Sequence, residues 1–309
     1  MNYISQGGGN KAPKQIILVD YSNFIYRAYF GSIRDLEVRP WMPFVRGIDM
    51  LRTCVSKIRV NRNIPTEFIF AGDCKRETLD RMKIDPDYKA GRKAPTNRNF
   101  YIFRTLMTRF VNHMGFRVIF QDGAEGDDVI ATCVHHYVPE CKCSKPCKKC
   151  DCGNIEIVIF SADNDLKALL KYQNVRLYRP PGIFTTRADF EQEYGFHPKL
   201  FPDYKALIGD KSDNIKGVSG WGEVTAKQHI IKGDWLELVK LEGKWDEYKK
   251  AKALVSLNYN VKDIDMRSFP INIAKSNEGL HRTLFDEYQR LEAEEDVILM
   301  EKRLEMELR

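Results

Sequence analysis

The chain carries acidic residues at the ends of nearly every strand that its apolar runs predict. In order they are Asp20, Asp73, then Glu125, Asp127 and Asp128 in AEGDD, Asp163 and Asp165 in SADND, and Asp210 and Asp213 in GDKSDN. In an open parallel sheet the strand ends converge on one crevice, where ligands bind. Gathering that much negative charge there is costly unless hard cations neutralise it, and Mg2+ or Mn2+ takes oxygen ligands. Two such ions suit the clamping of a phosphodiester. The pattern predicts metal-dependent phosphodiester hydrolysis.

Each acidic group also has a plainer reading. Asp20 closes IILVD and precedes YSNFIYRA, so it could simply cap the next helix. A phosphatase with an aspartate nucleophile wants a second Asp two residues later, and Ser22 stands there. In AEGDDVIA an acidic first turn would complement the helix dipole. Three carboxylates in four residues exceed what capping needs, and they repel one another without a cation. No G-x-x-x-x-G-K-[ST] loop occurs, so nothing points to nucleotide hydrolysis.

Two basic or glycine-rich segments complete the chemistry. The stretch 75–109 includes Arg76, Lys83, Lys89, Arg92 and Lys93, with Tyr88 interleaved in DPDYKAGRK. A charged helix pair is usually a solvated face. Following directly on Asp73, these cations and their aromatic are expected to hold a phosphate and stack an unpaired base. In GVSGWGEVTAKQ, Gly217, Gly220 and Gly222 let the backbone approach a phosphate, ahead of a helix from about Glu223 that carries Lys227.

The elements that must position these groups alternate. Strands are predicted at 16–20, 67–73, 117–121, 156–163 and 175–178, several as continuous apolar runs expected of strands buried on both faces. Helical spacing appears at 42–59 and 97–114, with Gly115 as a stop. The fold class is α/β, a doubly wound, mostly parallel sheet. The domain reading is a lead-in over 1–14 and a core over 15–186. The core includes a helical arch at about 74–114 and a Cys-rich insertion at 140–153. A helical region over 187–280 and an amphipathic tail over 281–309 follow.

With 309 residues, 43% hydrophobic content and a net charge of +6, the composition is that of a globular protein with a basic surface around an acidic pocket. No apolar run approaches a membrane span, and the lead-in lacks the apolar region of a signal peptide. Eight cysteines, five of them crowded together, predict a reducing cytosol rather than a secreted scaffold.

The segments VDYSNFIYRA, FAGD, PDYKAGR, AEGDD, SADND and IGDKSDNIKGVSGWGEVTA together resemble the structure-specific 5′ nucleases. That family includes flap endonucleases, the 5′→3′ exonuclease domain of bacterial DNA polymerase I and phage RNase H. The resemblance covers roughly 15–260. It implies that Asp20, Asp73, Glu125 and Asp127 serve one metal position and Asp163, Asp165 and Asp213 the second. Asp128 and Asp210 would act around them, and Lys89, Arg92 and Tyr88 would be active-site residues on the arch. It also implies that the glycine segment is a helix–two-turn–helix element gripping duplex phosphates, with a K+ ion on backbone carbonyls. The implied partners are DNA with a 5′ flap or free 5′ end and an RNA–DNA hybrid. The C-terminal helix is expected to be a packing helix, with the binding of a replication protein as the alternative, and the enzyme itself is expected to be a monomer. The free-standing format, with no polymerase domain appended, resembles the phage enzymes.

Several positions depart from the family. Gly126 stands where alanine is usual, expected to be neutral for chemistry and slightly destabilising for the helix. Trp221 replaces an aliphatic residue and would pack on a minor groove or in the core. The insertion places Cys141, Cys143, Cys147, Cys150 and Cys152 in twelve residues. Its C-x-x-C spacing favours a structural Zn2+ over a loop of unliganded thiols.

Two alternatives stay open. A PIN-like single-strand ribonuclease would share the acidic core without needing the glycine segment. A non-catalytic binder of branched DNA would use the carboxylates structurally. On the nuclease reading, Asp163→Asn abolishes cutting while DNA affinity, which rests on the basic surface, changes little. Gel-shift and cleavage assays on the same preparation check this, and an active variant would contradict the ligand assignment.

Overall fold

The computed structural model describes residues 14–264, apart from 37–38, 40–41, 57, 59–65, 93–94, 114–115, 117, 139–154 and 181. Lys93, Gly115, the Cys-rich insertion with its five cysteines, the lead-in before residue 14 and the expected tail over 281–309 lie outside the described residues.

The central strand is β1 (Lys14–Asp20), paired in parallel with β2 (Thr66–Gly72) on one side and β4 (Ile155–Phe160) on the other. The sheet extends through β3 (Val118–Phe120) beyond β2, and through β5 (Val175–Arg179) and β6 (Ile183–Thr185) beyond β4. Its order is β3-β2-β1-β4-β5-β6, and only β6 is antiparallel. Ile16, Ile17, Leu18 and Val19 are all fully buried, which explains why β1 is an unbroken apolar run.

Alternate residues of the strands feed two cores. Ile17, Val19, Phe68 and Phe70 face α1 (Tyr21–Phe30), α2 (Met42–Ser56) and α4 (Arg98–His113). Phe100, Phe103 and Met107 of α4 pack into that layer. Ile16, Leu18, Ile69 and Ala71 face the opposite layer, built on α5 (Gly126–Tyr137). Between β2 and α4 the chain makes the short α3 (Arg81–Ile84), which packs on the last helix described.

After β6 the chain is helical: α6 (Arg187–Tyr194), α7 (Phe201–Ile208), α8 (Glu223–Lys232), α9 (Trp235–Leu241) and α10 (Trp245–Val255). A hairpin of β7 (Gly209–Asp210) and β8 (Ile215–Lys216) separates α7 from α8. Phe190, Phe196, Phe201 and Tyr204 join this region to the α5 core. Among the described residues, no helix is long and apolar enough to cross a membrane.

Strand order reverses between β1 and β4, so the crevice of a doubly wound sheet opens at their carboxyl ends. Gly126, the first residue of α5, borders it. A Cβ there would stand 2.9 Å from the Ala71 carbonyl oxygen and 3.3 Å from Asp73 Oδ1. The expectation that glycine merely weakens the helix is therefore corrected: it permits a close approach to β2. Gly126→Ala should lower stability by about 1–3 kcal/mol through overpacking, despite alanine's better helix propensity. Urea denaturation measures this, and a more stable variant would contradict the packing account.

Candidate metal centre and active site

Four carboxylates stand at the crevice with no cationic side chain within ion-pairing distance among the described residues: Asp20, Asp73, Asp127 and Asp163. The local sequence fixes each one. Asp20 ends β1 and caps α1, accepting from the Asn23 backbone N–H at 2.9 Å. Ser161, just past β4, donates its hydroxyl to Asp20 at 2.7 Å. Asp73 follows β2 and accepts from the Gly126 N–H at 2.8 Å, while its own N–H reaches the Ser22 hydroxyl at 3.0 Å. Asp163 accepts from the Asp165 N–H at 2.8 Å. Asp127 lies in the first turn of α5.

These groups feel one another. Burial and then the Asp73 charge push the Asp20 carboxyl up to about 7. Burial, followed by the charges of Asp163, Asp20 and Asp73, holds Asp127 well above the usual carboxylate range. Polar donors orient the oxygens but supply no positive charge. Hard, all-oxygen and anionic, this donor set fits Mg2+ or Mn2+. Among the described residues no three side chains form a ready metal-binding group as they stand.

The remaining acids are paired. Glu125 accepts from Arg81 at 2.5 Å, from Tyr88 Oη at 2.8 Å and from Lys89. Burial opposes its ionisation, but the Lys89 and Arg81 charges outweigh it and keep the carboxyl below its usual range. Asp213, 6% exposed, is paired with Arg92 and lies 3.7 Å from Lys89 Nζ. Lys205 bridges Asp165 at 2.8 Å and Asp210 at 2.5 Å. Burial pushes Asp165 up to about 6 even so. The structure thus brings Asp20, Asp73, Asp127 and Asp163 together and places Asp165, Asp210, Asp213 and Glu125 on a cationic rim.

Asp128 is joined to Glu125 through Arg81. It is 3% exposed, held in a fork by Arg81 at 2.6 and 2.8 Å, and accepts from the Asn258 N–H at 2.8 Å. Tyr88 is corrected from a base-stacking aromatic to a buried one. At 3% exposure it donates to Glu125, with Lys89 Nζ 5.2 Å from its ring centroid. Burial and the Glu125 charge push its hydroxyl far up, so it remains a donor.

A cleft of about 420 Å³ adjoins the carboxylates, lined by Asp73, Glu125, Lys89, Arg92, Tyr101 and Arg104 among others. Arg76 borders it too, but its guanidinium is fastened to the Tyr88 and Pro86 carbonyls at 2.8 and 3.0 Å. Lys83 is exposed and paired with Asp80. In the glycine segment the three glycines differ. A Cβ at Gly217 would meet the Leu207 carbonyl oxygen at 2.4 Å, so its smallness serves packing of the hairpin rather than a phosphate. Gly220 takes φ +80° in a turn. Gly222 precedes α8 with open space around it. Lys227 donates to the Glu193 carbonyl at 3.0 Å, and Trp221 is a core residue whose indole N–H reaches Glu242 at 3.0 Å. Sequence reasoning missed Arg81 and Lys205 as partners. The one available signal was a buried acid at the third position of an amphipathic helix, which requires a cation.

Residues 15–195 match the 5′-3′ exonuclease N-terminal resolvase-like domain, and residues 196–277 match the 5′-3′ exonuclease C-terminal SAM fold. The chain belongs to the 5′-3′ exonuclease family. It is 35% identical over 240 residues to the thermostable DNA polymerase I of Thermus aquaticus, covering 77% of this chain and 26% of that protein. The chain thus spans about a quarter of the polymerases it matches. It is 30% identical to the 5′-3′ exonuclease of Aquifex aeolicus, over 77% of this chain and 75% of that one. In fold it is similar to the T5 D15 protein co-crystallised with metal ions, with a TM-score of 0.62 and 16% identity, covering 90% of this chain and 99% of that one.

The carboxylate cluster makes stability depend on pH and metal. In the unfolded chain Asp20 ionises near 3.8, and in the metal-free fold near 7. Its folded pKa is raised, so its stabilising contribution is full below about pH 4 and disappears as pH rises towards 7. The metal-free protein should therefore melt at a lower temperature at pH 8 than at pH 5.5, with Mg2+ restoring it at pH 8. Each kcal/mol corresponds to about 2–4 °C for a domain of this size. Thermal melts in EDTA and in Mg2+ test this, and a metal-free protein most stable at pH 8 would contradict it.

Proposed function

We propose that this chain is a divalent-metal-dependent 5′ nuclease, acting as 5′→3′ exonuclease and flap endonuclease on DNA with a free or branched 5′ end. The observation that carries the reading is a cluster of four carboxylates lacking a cation, one of which, Asp73, lines the same cleft as Lys89 and Arg92. Asp20, Asp73 and Asp127, joined by Glu125, would hold one cation, and Asp163, Asp165 and Asp213 a second. Bound there, the ions would polarise the phosphodiester and lower the pKa of an attacking water.

The chain's own groups then have clear tasks. Ser161 and the Gly126 N–H hold carboxylate oxygens of Asp20 and Asp73 in place, and the Ser22 hydroxyl holds the Asp73 backbone by accepting from its N–H. Tyr88 holds Glu125. Lys89 and Arg92 are held against Glu125 and Asp213, at the edge of the cleft. A phosphate arriving there would exchange with those carboxylates and gain charge-assisted hydrogen bonds as negative charge develops on it. The open start of α8 after Gly222 would take a duplex phosphate.

The same reading extends to finer points. The family membership supports activity on an RNA–DNA hybrid and a K+ ion in the glycine segment. The cysteine spacing supports a structural Zn2+ at Cys141, Cys143, Cys147, Cys150 and Cys152. A replication protein is the proposed partner of the C-terminal segment, and cytosol the proposed compartment, with the protein as a monomer.

The test is Mg2+-dependent cleavage of a 5′-labelled flap DNA beside a labelled RNA–DNA hybrid and an unstructured RNA. Cutting near the flap junction, lost in EDTA, is expected. Lys89→Met should lower kcat by about 10²-fold or more, with DNA affinity largely kept. Cutting confined to unstructured RNA would replace this reading with a PIN-like one, and binding without cutting would leave a non-catalytic binder.

A further inference from the structure

Arg81 makes five hydrogen bonds that join two regions of the fold. Its Nη1 donates to Glu125 at 2.5 Å and Asp128 at 2.6 Å, and its Nη2 to Asp128 at 2.8 Å. Its Nε donates to the Leu254 carbonyl at 2.9 Å, and Nη2 to the Ser256 carbonyl at 2.9 Å, at the end of α10. The chain beyond α10 continues as a strap over α5. There Asn258 N–H reaches Asp128 at 2.8 Å. Thr132 Oγ1 donates to the Asn258 carbonyl at 3.2 Å and accepts from the Val261 N–H at 3.1 Å. A guanidinium with 12% side-chain exposure, facing two nearly dry carboxylates, has one geometry available to it.

We propose that Arg81 is a positioning residue that couples the C-terminal helical region to the metal centre. Its fork sets the direction of Glu125, and the end of α10 sets the fork. A duplex seated on the helices after β6 steadies α10, and through Arg81 it steadies Glu125 at the cleft. The proposal rests on the nuclease reading. Lysine keeps the charge but cannot hold two carboxylates and two carbonyls in one plane, so Arg81→Lys should uncouple the regions.

The experiment is single-turnover cleavage of substrates whose duplex is lengthened stepwise, in wild type, Arg81→Lys and Thr132→Val, each first checked for a cooperative melt. Wild type should cut faster as the duplex grows. Arg81→Lys should bind the long duplex as well as wild type, yet cut it about tenfold more slowly and at a rate no longer dependent on length. Thr132→Val, which loosens the strap without touching a charge, should show a smaller effect of the same kind. It carries the test should Arg81→Lys fail to fold. Equal length dependence in all folded variants overturns the coupling. Mn2+ affinity, measured by titration with and without a long blunt duplex, needs no cutting. A rise with duplex in wild type but not in the variant supports the proposal, and the same rise in both overturns it. A wild type that cuts nothing overturns the nuclease reading instead, leaving the Mn2+ titration to judge the coupling.

Discussion

Mutual repulsion among Asp20, Asp73, Asp127 and Asp163 is the constraint around which this fold is arranged. Their charges meet because a doubly wound sheet brings the carboxyl ends of β1, β2 and β4 to one crevice beside the start of α5. Burial raises the cost of ionising them, as the upward shifts of Asp20 and Asp127 show. A protein selected for stability alone would place apolar residues there. Keeping like charges together is the mark of a site completed by a cation.

The surroundings follow from that constraint. Among the described residues, four cations near the crevice are fastened to the outer acids rather than to the inner four: Arg81 and Lys89 to Glu125, Arg92 to Asp213, Lys205 to Asp165 and Asp210. Were one of them to swing inward, it would neutralise the cluster and occupy the ion's place. Short chains of hydrogen bonds prevent this. Arg81 is locked by backbone carbonyls, and the Lys89 backbone N–H is bonded to the Asp213 carbonyl at 2.8 Å. Lys89 itself takes φ 57°, a left-handed conformation uncommon for a side-chain residue and held by this packing. The C-terminal helices are thus part of the site's architecture, because the ends of α7 and α10 supply its counter-charges and its anchors.

How much of this the sequence showed depended on whether the cause was local. Buried strands announced themselves as apolar runs, and the acids at their ends followed from strand polarity. The three-residue β6, with Ile183 59% exposed, carries no such pattern and was missed. The division of the acids into inner and outer sets was hidden for a different reason. Arg81 meets Asp128 across 47 residues, and in the sequence it is one basic residue among many. Tyr88 looked like a surface aromatic because cations flank it, yet its neighbour Lys89 turns with it toward buried Glu125. Gly217 looked like a phosphate cradle, whereas its neighbours are the backbone of α7 and β7. In each case residue type was informative and the partner was not.

The most direct test of the account is a crystal grown with Mn2+ near pH 8 and examined by anomalous scattering. The account predicts manganese peaks within coordination distance of Asp20, Asp73, Asp127 and Asp163, with Lys89 released from Glu125. Manganese bound elsewhere, or an inner cluster neutralised by one of the protein's own cations, would contradict it.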